Sequence, residues 1–273
     1  MITLNNNLTI PQIGVGTWTL KGETAVNNVR MALDAGFRLV DTAQMYENEK
    51  EVGDGIRLSK VPREEIFLTT KVSTVVMREK ESVIRASIDD SLAKLQTPYV
   101  DLLLIHWPVK DCVKKTWVIM EDYVQQGKVK SLGVSNFNRH HLEELFQYAN
   151  IRPVLNQIEV HPLMSQVENI AYNHSLGIQV QAWGPFGQGD IDVVGNDVIK
   201  HLAAKYGKTS SQIVLRWIIQ RDLITIPRAK PNHFDENLGV LLFELSSDDM
   251  AAIDALNINL RSNKSNDPEN FPW

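Results

Sequence analysis

Short apolar runs alternate with stretches in which apolar residues recur every three or four positions, and this alternation continues through most of the chain. Residues 13–18 are strand-like, and Ala25, Val26, Val29, Ala32 and Leu33 follow at helical spacing, with Gly36 ending the helix. Residues 37–40 read as the next strand, and Asp41 stands where it leaves the core, ahead of a polar segment that opens a helix. Residues 66–70 form a strand ending at Lys71, and Val83, Ile84, Ile88, Leu92 and Leu95 make the stripe after it. Residues 99–105 are too uniformly apolar for a half-exposed strand, which predicts burial on both faces, and the run stops at His106-Trp107-Pro108. Further strands are expected at 129–134, 153–158, 178–182 and 223–226, with helices at 113–126, 166–175, 193–206, 210–220, 234–242 and 246–256. Leu142, Leu145, Phe146 and Ala149 mark another helix, and Ser246 with Asp249 reads as a capping box. Before all of this, Ile2-Thr3-Leu4 and Leu8-Thr9-Ile10 flank three asparagines, as in a hairpin.

Eight strands, each followed by helical sequence with no Pro/Ser-rich linker, predict an α/β fold. The expected architecture is one (β/α)8 TIM barrel domain over residues 1–273, with an N-terminal β-hairpin and extra C-terminal helices. An open doubly wound sheet would need a Gly-rich first turn, and Gly14 and Gly16 lack the third glycine.

In such a barrel the strand exits build the active site. Here they carry Thr17-Trp18, Asp41 with Tyr46, Lys71, His106-Trp107, Ser135-Asn136, Gln157, Trp183 and Arg228. Taken singly, each has a bland role as a cap or a core group; convergence on one mouth is the informative feature. A Tyr hydroxyl is a slow acid at neutral pH, a neighbouring Lys ammonium lowers its pKa, and Asp41 would hold Lys71 charged. His106 would orient a substrate carbonyl toward Tyr46. Such a site protonates a developing alkoxide, and the hydride that forms the alkoxide must come from a cofactor. No metal is expected: the first strand has no His-x-His, no Gly-x-Ser-x-Gly occurs, and His161-Pro162 has no evident carboxylate partner.

Composition narrows the partners. With 28 Lys+Arg against 33 Asp+Glu, the net charge of -5 offers nothing to a polyanion, so nucleic acid is not expected. Cys112 is the single cysteine, which precludes an intramolecular disulfide and fits a reducing compartment. The first residues lack a basic, apolar leader, and no run approaches the roughly 18 apolar residues of a membrane span. A cytoplasmic monomer is expected.

Several motifs together carry a family resemblance. Residues 36–43 with Glu49 and Val52-Gly53, Leu104-Ile105-His106-Trp107-Pro108, Gly127-Lys128-Val129, residues 133–137, Asn156-Gln157-Ile158-Glu159 and His161-Pro162-Leu163 resemble signatures of the aldo-keto reductases. The likeness runs from the hairpin to about Leu256. It implies a tetrad of Asp41, Tyr46, Lys71 and His106, with Tyr46 as general acid, and NADPH (NADP) lying across the mouth without a Rossmann fold. Ser135, Asn136 and Gln157 would hold the carboxamide, Trp183 would stack on the nicotinamide, and Thr17, Trp18 and Asp41 complete that end of the cofactor site. The loop of residues 183–189 is similar to that of the diketogluconate reductase and prostaglandin F synthase-like branch; Gly184, Pro185, Phe186, Gln188 and Gly189 would pass close to the pyrophosphate.

One segment departs from the family. Its pattern of Ile-Pro-Lys-Ser, then Arg, then Glu-Asn is replaced by residues 226–237, where Ala229 stands for the Ser and His233 for the Arg, one residue earlier. The 2′-phosphate pocket so implied keeps Arg228 and Lys230, with Glu236 and Asn237 beyond, but lacks a hydroxyl and a permanent charge. NADPH use with a weaker preference is expected, with NADH also accepted. Trp18, Tyr46, His106, Trp107 and Phe186 would line the substrate pocket. A short 109–116 loop and a short polar tail suggest an open pocket for aldehydes, α-dicarbonyls or keto sugars, and Trp273 reads equally as a lid or a loose end. The same barrel would also serve a catalytically weak nicotinamide-binding regulatory or scaffold protein, as in the potassium-channel β subunits, though the intact tetrad speaks against it. A metal-dependent barrel hydrolase lacks its ligand pairs.

Overall fold

Parallel pairing organises the computed structural model, which describes residues 1–271. The hairpin strands β1 (Ile2–Thr3) and β2 (Thr9–Ile10) pair antiparallel. Eight parallel strands follow: β3 (Val15–Gly16), β4 (Leu39–Asp41), β5 (Phe67–Val72), β6 (Leu102–Ile105), β7 (Leu132–Ser135), β8 (Leu155–Glu159), β9 (Gln179–Trp183) and β10 (Ile224–Thr225). They neighbour one another in chain order, and Gly14 N–H to Thr225 O (2.9 Å) with Thr225 N–H to Gln12 O (3.0 Å) joins the last to the first. The sheet therefore closes, as expected for a TIM barrel.

Between and after the strands run α1 (Gly22–Ala35), α2 (Glu49–Leu58), α3 (Thr74–Met77), α4 (Glu81–Lys94), α5 (Val113–Gln125), α6 (Arg139–Leu145), α7 (Val167–Ser175), α8 (Asp197–Tyr206), α9 (Ser210–Gln220), α10 (Phe234–Leu238) and α11 (Ser247–Asp254). No helix among the described residues is long and apolar enough to cross a membrane.

The period of two along each strand decides what faces where. Leu39, Phe67, Leu102, Leu104, Leu155 and Ile224 form one buried cluster with Leu4 and Ile10 of the hairpin, which seals the N-terminal end of the barrel. Their alternates, such as Val40, Leu68, Leu103, Ile105, Leu132 and Val134, pack in a second cluster with helix residues, among them Leu33 and Trp117. Gly133 lies in tight quarters, since a Cβ there would meet Leu104 Cδ2 at 2.6 Å and Leu155 O at 2.7 Å. Continuing the inward register past the apolar layer brings Asp41, Lys71, His106, Ser135, Gln157 and Trp183 to the C-terminal end.

That register explains where expected boundaries shift. Asp41, Lys71, Ser135, Glu159 and Trp183 lie inside strands rather than after them. The ladder continues through polar residues because their side chains point into a polar upper layer, so loss of hydrophobicity does not mark the strand's end. The helix expected at 193–206 starts at Asp197, where the Asn196 side chain accepts the Val198 N–H. The one expected at 234–242 breaks into α10 and a 3₁₀ turn, Gly239–Leu242. Ser246 makes only half of a capping box. Its hydroxyl accepts the Asp249 N–H at 3.2 Å, but its own N–H goes to the Tyr206 hydroxyl, while Lys205 and Tyr206 engage the Asp249 carboxylate.

Candidate active site

A cavity of about 400 Å³ opens at the C-terminal ends of the strands. At its base lies a buried cation with three acceptors. Lys71 Nζ donates to Asp41 Oδ1 at 2.5 Å, to the Thr42 carbonyl at 2.9 Å and to the Tyr46 hydroxyl at 3.2 Å. Lys71 and Asp41 have side-chain exposures of 0% and 2%, so the charges meet outside water. The second Asp41 oxygen accepts Gln157 Nε2 at 2.7 Å, leaving neither carboxylate oxygen unpaired. Burial drives the Asp41 carboxyl above its ordinary value while Lys71 pulls it back. Burial also opposes the Lys71 ammonium, yet Asp41 and Tyr46 together hold it above its ordinary value.

Tyr46 comes from a 3₁₀ turn, Gln44–Tyr46, that Glu47 ends with a left-handed φ of 51°. Lys21 Nζ donates to the Tyr46 carbonyl at 2.6 Å and fixes the turn from the β3–α1 loop. Burial raises the phenol pKa above its ordinary 10, outweighing the pull from Lys71. This corrects the expectation of a lowered value: Lys71 acts in the anticipated direction, but desolvation is the larger effect. His106 packs edge-on against Tyr46 with ring centroids 5.6 Å apart. Burial, then Lys71, hold its imidazole well below 6.5, so it is neutral at pH 7. Its Nδ1 has no hydrogen-bond partner and is sealed from solvent.

A second network sets the opposite wall. Asn136, at a left-handed φ of 63°, donates to the His106 carbonyl (3.1 Å) and Ser135 Oγ (3.0 Å) and accepts Trp183 Nε1 at 2.9 Å. Ser135 donates to the Gln157 carbonyl, and Gln157 also donates to Gln181 Oε1 at 2.6 Å. Asn136 thus ties the indole of Trp183 to the loop that carries His106.

The cavity brings together most of the residues anticipated from the sequence. Trp18, Asp41, Tyr46, His106, Trp107, Ser135, Asn136, Gln157, Trp183, Gly184, Pro185, Phe186, Gln188, Gly189 and Arg228 all line it. Lys71 does not, being wholly buried behind Asp41 and Tyr46. Nor does Thr17, whose buried hydroxyl donates to the Asp41 carbonyl at 3.0 Å and ties one strand exit to the next. In the 183–189 loop, Gly184, Gly187 and Gly189 have φ of 62°, 72° and 93°, backbone that side chains rarely adopt.

Past β10 the groups spread out. Arg228 is exposed and donates to the Thr19 hydroxyl. Ala229 is buried, its carbonyl accepting Asn28 Nδ2 at 2.8 Å, and Lys230 is exposed. His233 Nδ1 lies 3.0 Å from Glu236 Oε2, Glu236 also accepts from the Thr209 hydroxyl, and Asn237 is buried. None of Ala229, Lys230, His233, Glu236 and Asn237 lines the cavity.

Two features were missed in the sequence. His161 does have a carboxylate partner: its Nε2 is 3.2 Å from Glu159 Oε1, both side chains fully buried. The signal was the spacing of two between the last residue of β8 and His161 just beyond it. Gly16, Met45, Ile226, Asn266 and Phe271 also line the cavity, and Phe271 stacks on Trp107 at 3.8 Å and 10°. An aromatic in a polar tail was the available sign for Phe271. The lid or loose end anticipated at Trp273 lies outside the described residues.

A sequence model of the aldo/keto reductase family matches residues 12–258. The chain belongs to this family. Among aldo/keto reductase relatives, the glyoxal reductase of Bacillus subtilis (strain 168) is 42% identical over 94% of this chain and 92% of its own. The methylglyoxal reductase DkgA of Escherichia coli (strain K12) is 39% identical over 99% and 98%. The crystal structure of MGS-M4, an aldo-keto reductase from a Medee basin deep-sea metagenome library, superimposes with a TM-score of 0.91 at 38% identity, covering 96% of each chain.

Proposed function

We propose that this aldo/keto reductase uses NADPH to reduce small aldehydes, α-dicarbonyls or keto sugars to alcohols, with Tyr46 as the proton donor. The observation that carries the reading is Lys71 Nζ held between Asp41 Oδ1 and the Tyr46 hydroxyl. That contact stabilises negative charge on the phenol oxygen as its proton leaves, while burial keeps the proton in place until a stronger base than water develops beside it. Neutral His106 steers a carbonyl oxygen toward Tyr46 without competing as an acid. Asp41 is a positioning residue that holds the ammonium charged.

The cavity suits a nicotinamide dinucleotide in its chemistry. It offers the Trp183 indole for an aromatic ring, amide and hydroxyl groups at Ser135, Asn136 and Gln157, glycine backbone at 184–189 and the Arg228 cation. When bound, the dinucleotide supplies the hydride. Arg228 alone of the cations past β10 lines the cavity among the described residues, and His233 is already engaged by Glu236. These two facts support a preference for NADPH over NADH weaker than a permanent charge at residue 233 would give.

Trp107, Phe186 and Phe271 give the substrate side an apolar wall. The names of the two curated relatives make α-dicarbonyls the first class to try. The scaffold alternative has no need of a buried Asp–Lys pair aimed at a phenol. We further propose a cytoplasmic monomer, folded as one domain, with no nucleic-acid partner. The test is oxidation of NADPH and NADH with glyoxal, methylglyoxal, keto sugars and simple aldehydes. Turnover with both cofactors, faster with NADPH, is expected. Inactivity with NADPH, or a preference of several orders of magnitude, would overturn the reading.

A further inference from the structure

Outside the cavity, the start of α6 and the C-terminal tail meet at three potential metal ligands. His140, His141 and Glu269 each place one ligand atom within 4.8 Å of the others. His140 Nε2 is 3.6 Å from Glu269 Oε2, and the Asn138 side chain donates to the other Glu269 oxygen. The two imidazole rings lie with centroids 3.9 Å apart, tilted 44°.

We propose that His140, His141 and Glu269 bind one divalent transition-metal ion of the Zn²⁺ type and that this ion clasps the tail across the cavity mouth. Two imidazole nitrogens and one carboxylate oxygen, with water in a fourth position, suit Zn²⁺, Ni²⁺ or Cu²⁺ and not Mg²⁺ or Ca²⁺. Zn²⁺ bonds of about 2.0–2.2 Å require the ligand atoms to draw closer than they stand. The side chains of His140 and Glu269 are 57% and 48% exposed, leaving them room to do so.

The ring proton must also move. His141 Nδ1 accepts the Asn138 N–H at 3.1 Å, so the neutral ring carries its proton on Nε2. Ligation through Nε2 shifts that proton to Nδ1 and gives up the cap bond. The positive end of α6 opposes a cation, and the Glu269 carboxylate offsets it. The consequence for the mouth follows from connectivity. Glu269 is two residues from Phe271, which stacks on Trp107 in the cavity wall, and Asn266 of the same tail lines the cavity.

The test uses the full, untagged chain, stripped with chelator and titrated calorimetrically with Zn²⁺. Neither readout is turnover, so the outcome is independent of the reductase reading. One ion per chain is expected, with His140→Ala and Glu269→Gln each weakening binding by at least about tenfold. Both positions are exposed and outside the site machinery. Amide hydrogen exchange over 262–271 should slow with Zn²⁺ in the unmodified chain and not in Glu269→Gln. Absence of binding, equal response to Mg²⁺, or unchanged affinity in both variants would overturn the site; unchanged tail exchange on saturation would overturn the clasp.

Discussion

The base of the cavity and the segment past β10 hold their charges in opposite ways. At the base, Lys71 and Asp41 are sealed from solvent and joined at 2.5 Å, and the oxygens around the ammonium come from the last residue of β4, the residue after it and the Gln44–Tyr46 turn. Past β10, Arg228, Lys230 and His233 are exposed, and His233 contacts only near neighbours in sequence among the described residues, Glu236 through Nδ1 and Asn232 through Nε2. Burial makes the first arrangement rigid and intolerant of change, because removing one charge strands the other. Exposure makes the second adjustable, since screened charges are gained or lost cheaply. On the proposed function, the chemistry is fixed at the base and cofactor preference is tuned at the rim.

The largest expected effect comes from breaking the buried pair. Lys71→Met leaves Asp41 uncompensated and should cost about 3–5 kcal/mol of stability in denaturant unfolding. Turnover should fall in the folded fraction by roughly 10²–10⁴-fold. A variant as stable as the parent would show that the pair is not held as a unit.

The pH profile sharpens the same point. Tyr46 is raised above 10 and His106 lowered well below 6.5, so the acid stays protonated and the imidazole neutral across the intervening range. The rate of carbonyl reduction should stay flat between about pH 7 and 9, with no inflection near 6.5. An inflection there would mean that His106 titrates in the working enzyme.

At the rim the effects shrink. His233→Arg introduces a permanent cation and should tighten NADPH relative to NADH by roughly tenfold, the scale of one charge-assisted hydrogen bond. Equal changes in both dissociation constants would place residue 233 away from the 2′-phosphate. Phe271→Ala removes the stack on Trp107, worth about 0.5–1.5 kcal/mol, and should raise KM for an aromatic aldehyde with kcat nearly unchanged. A fall in kcat instead would mean that the tail orders the reacting groups.

The eight strands were legible because the barrel's outer faces and lower interior are both apolar, and short continuous apolar runs record that. Strand ends were not, because Lys71, Ser135, Glu159 and Trp183 continue the ladder with side chains in a polar layer. The pairing of Asp41 with Lys71 could be read from two strand exits, but the balance at Tyr46 could not, since desolvation is set by surroundings that no local motif records. The Glu159–His161 pair escaped notice although its spacing lay in plain view, and Phe271 reached the cavity from a tail whose composition is polar.

On the proposed function, Tyr46 supplies the proton while the cofactor site stands independently of it. The direct measurement is Tyr46→Phe, comparing NADPH binding by fluorescence titration with NADPH-dependent reduction of methylglyoxal. We expect the dissociation constant to change little and turnover to fall by roughly 10²–10⁴-fold. Parental turnover in the variant would mean that another group donates the proton.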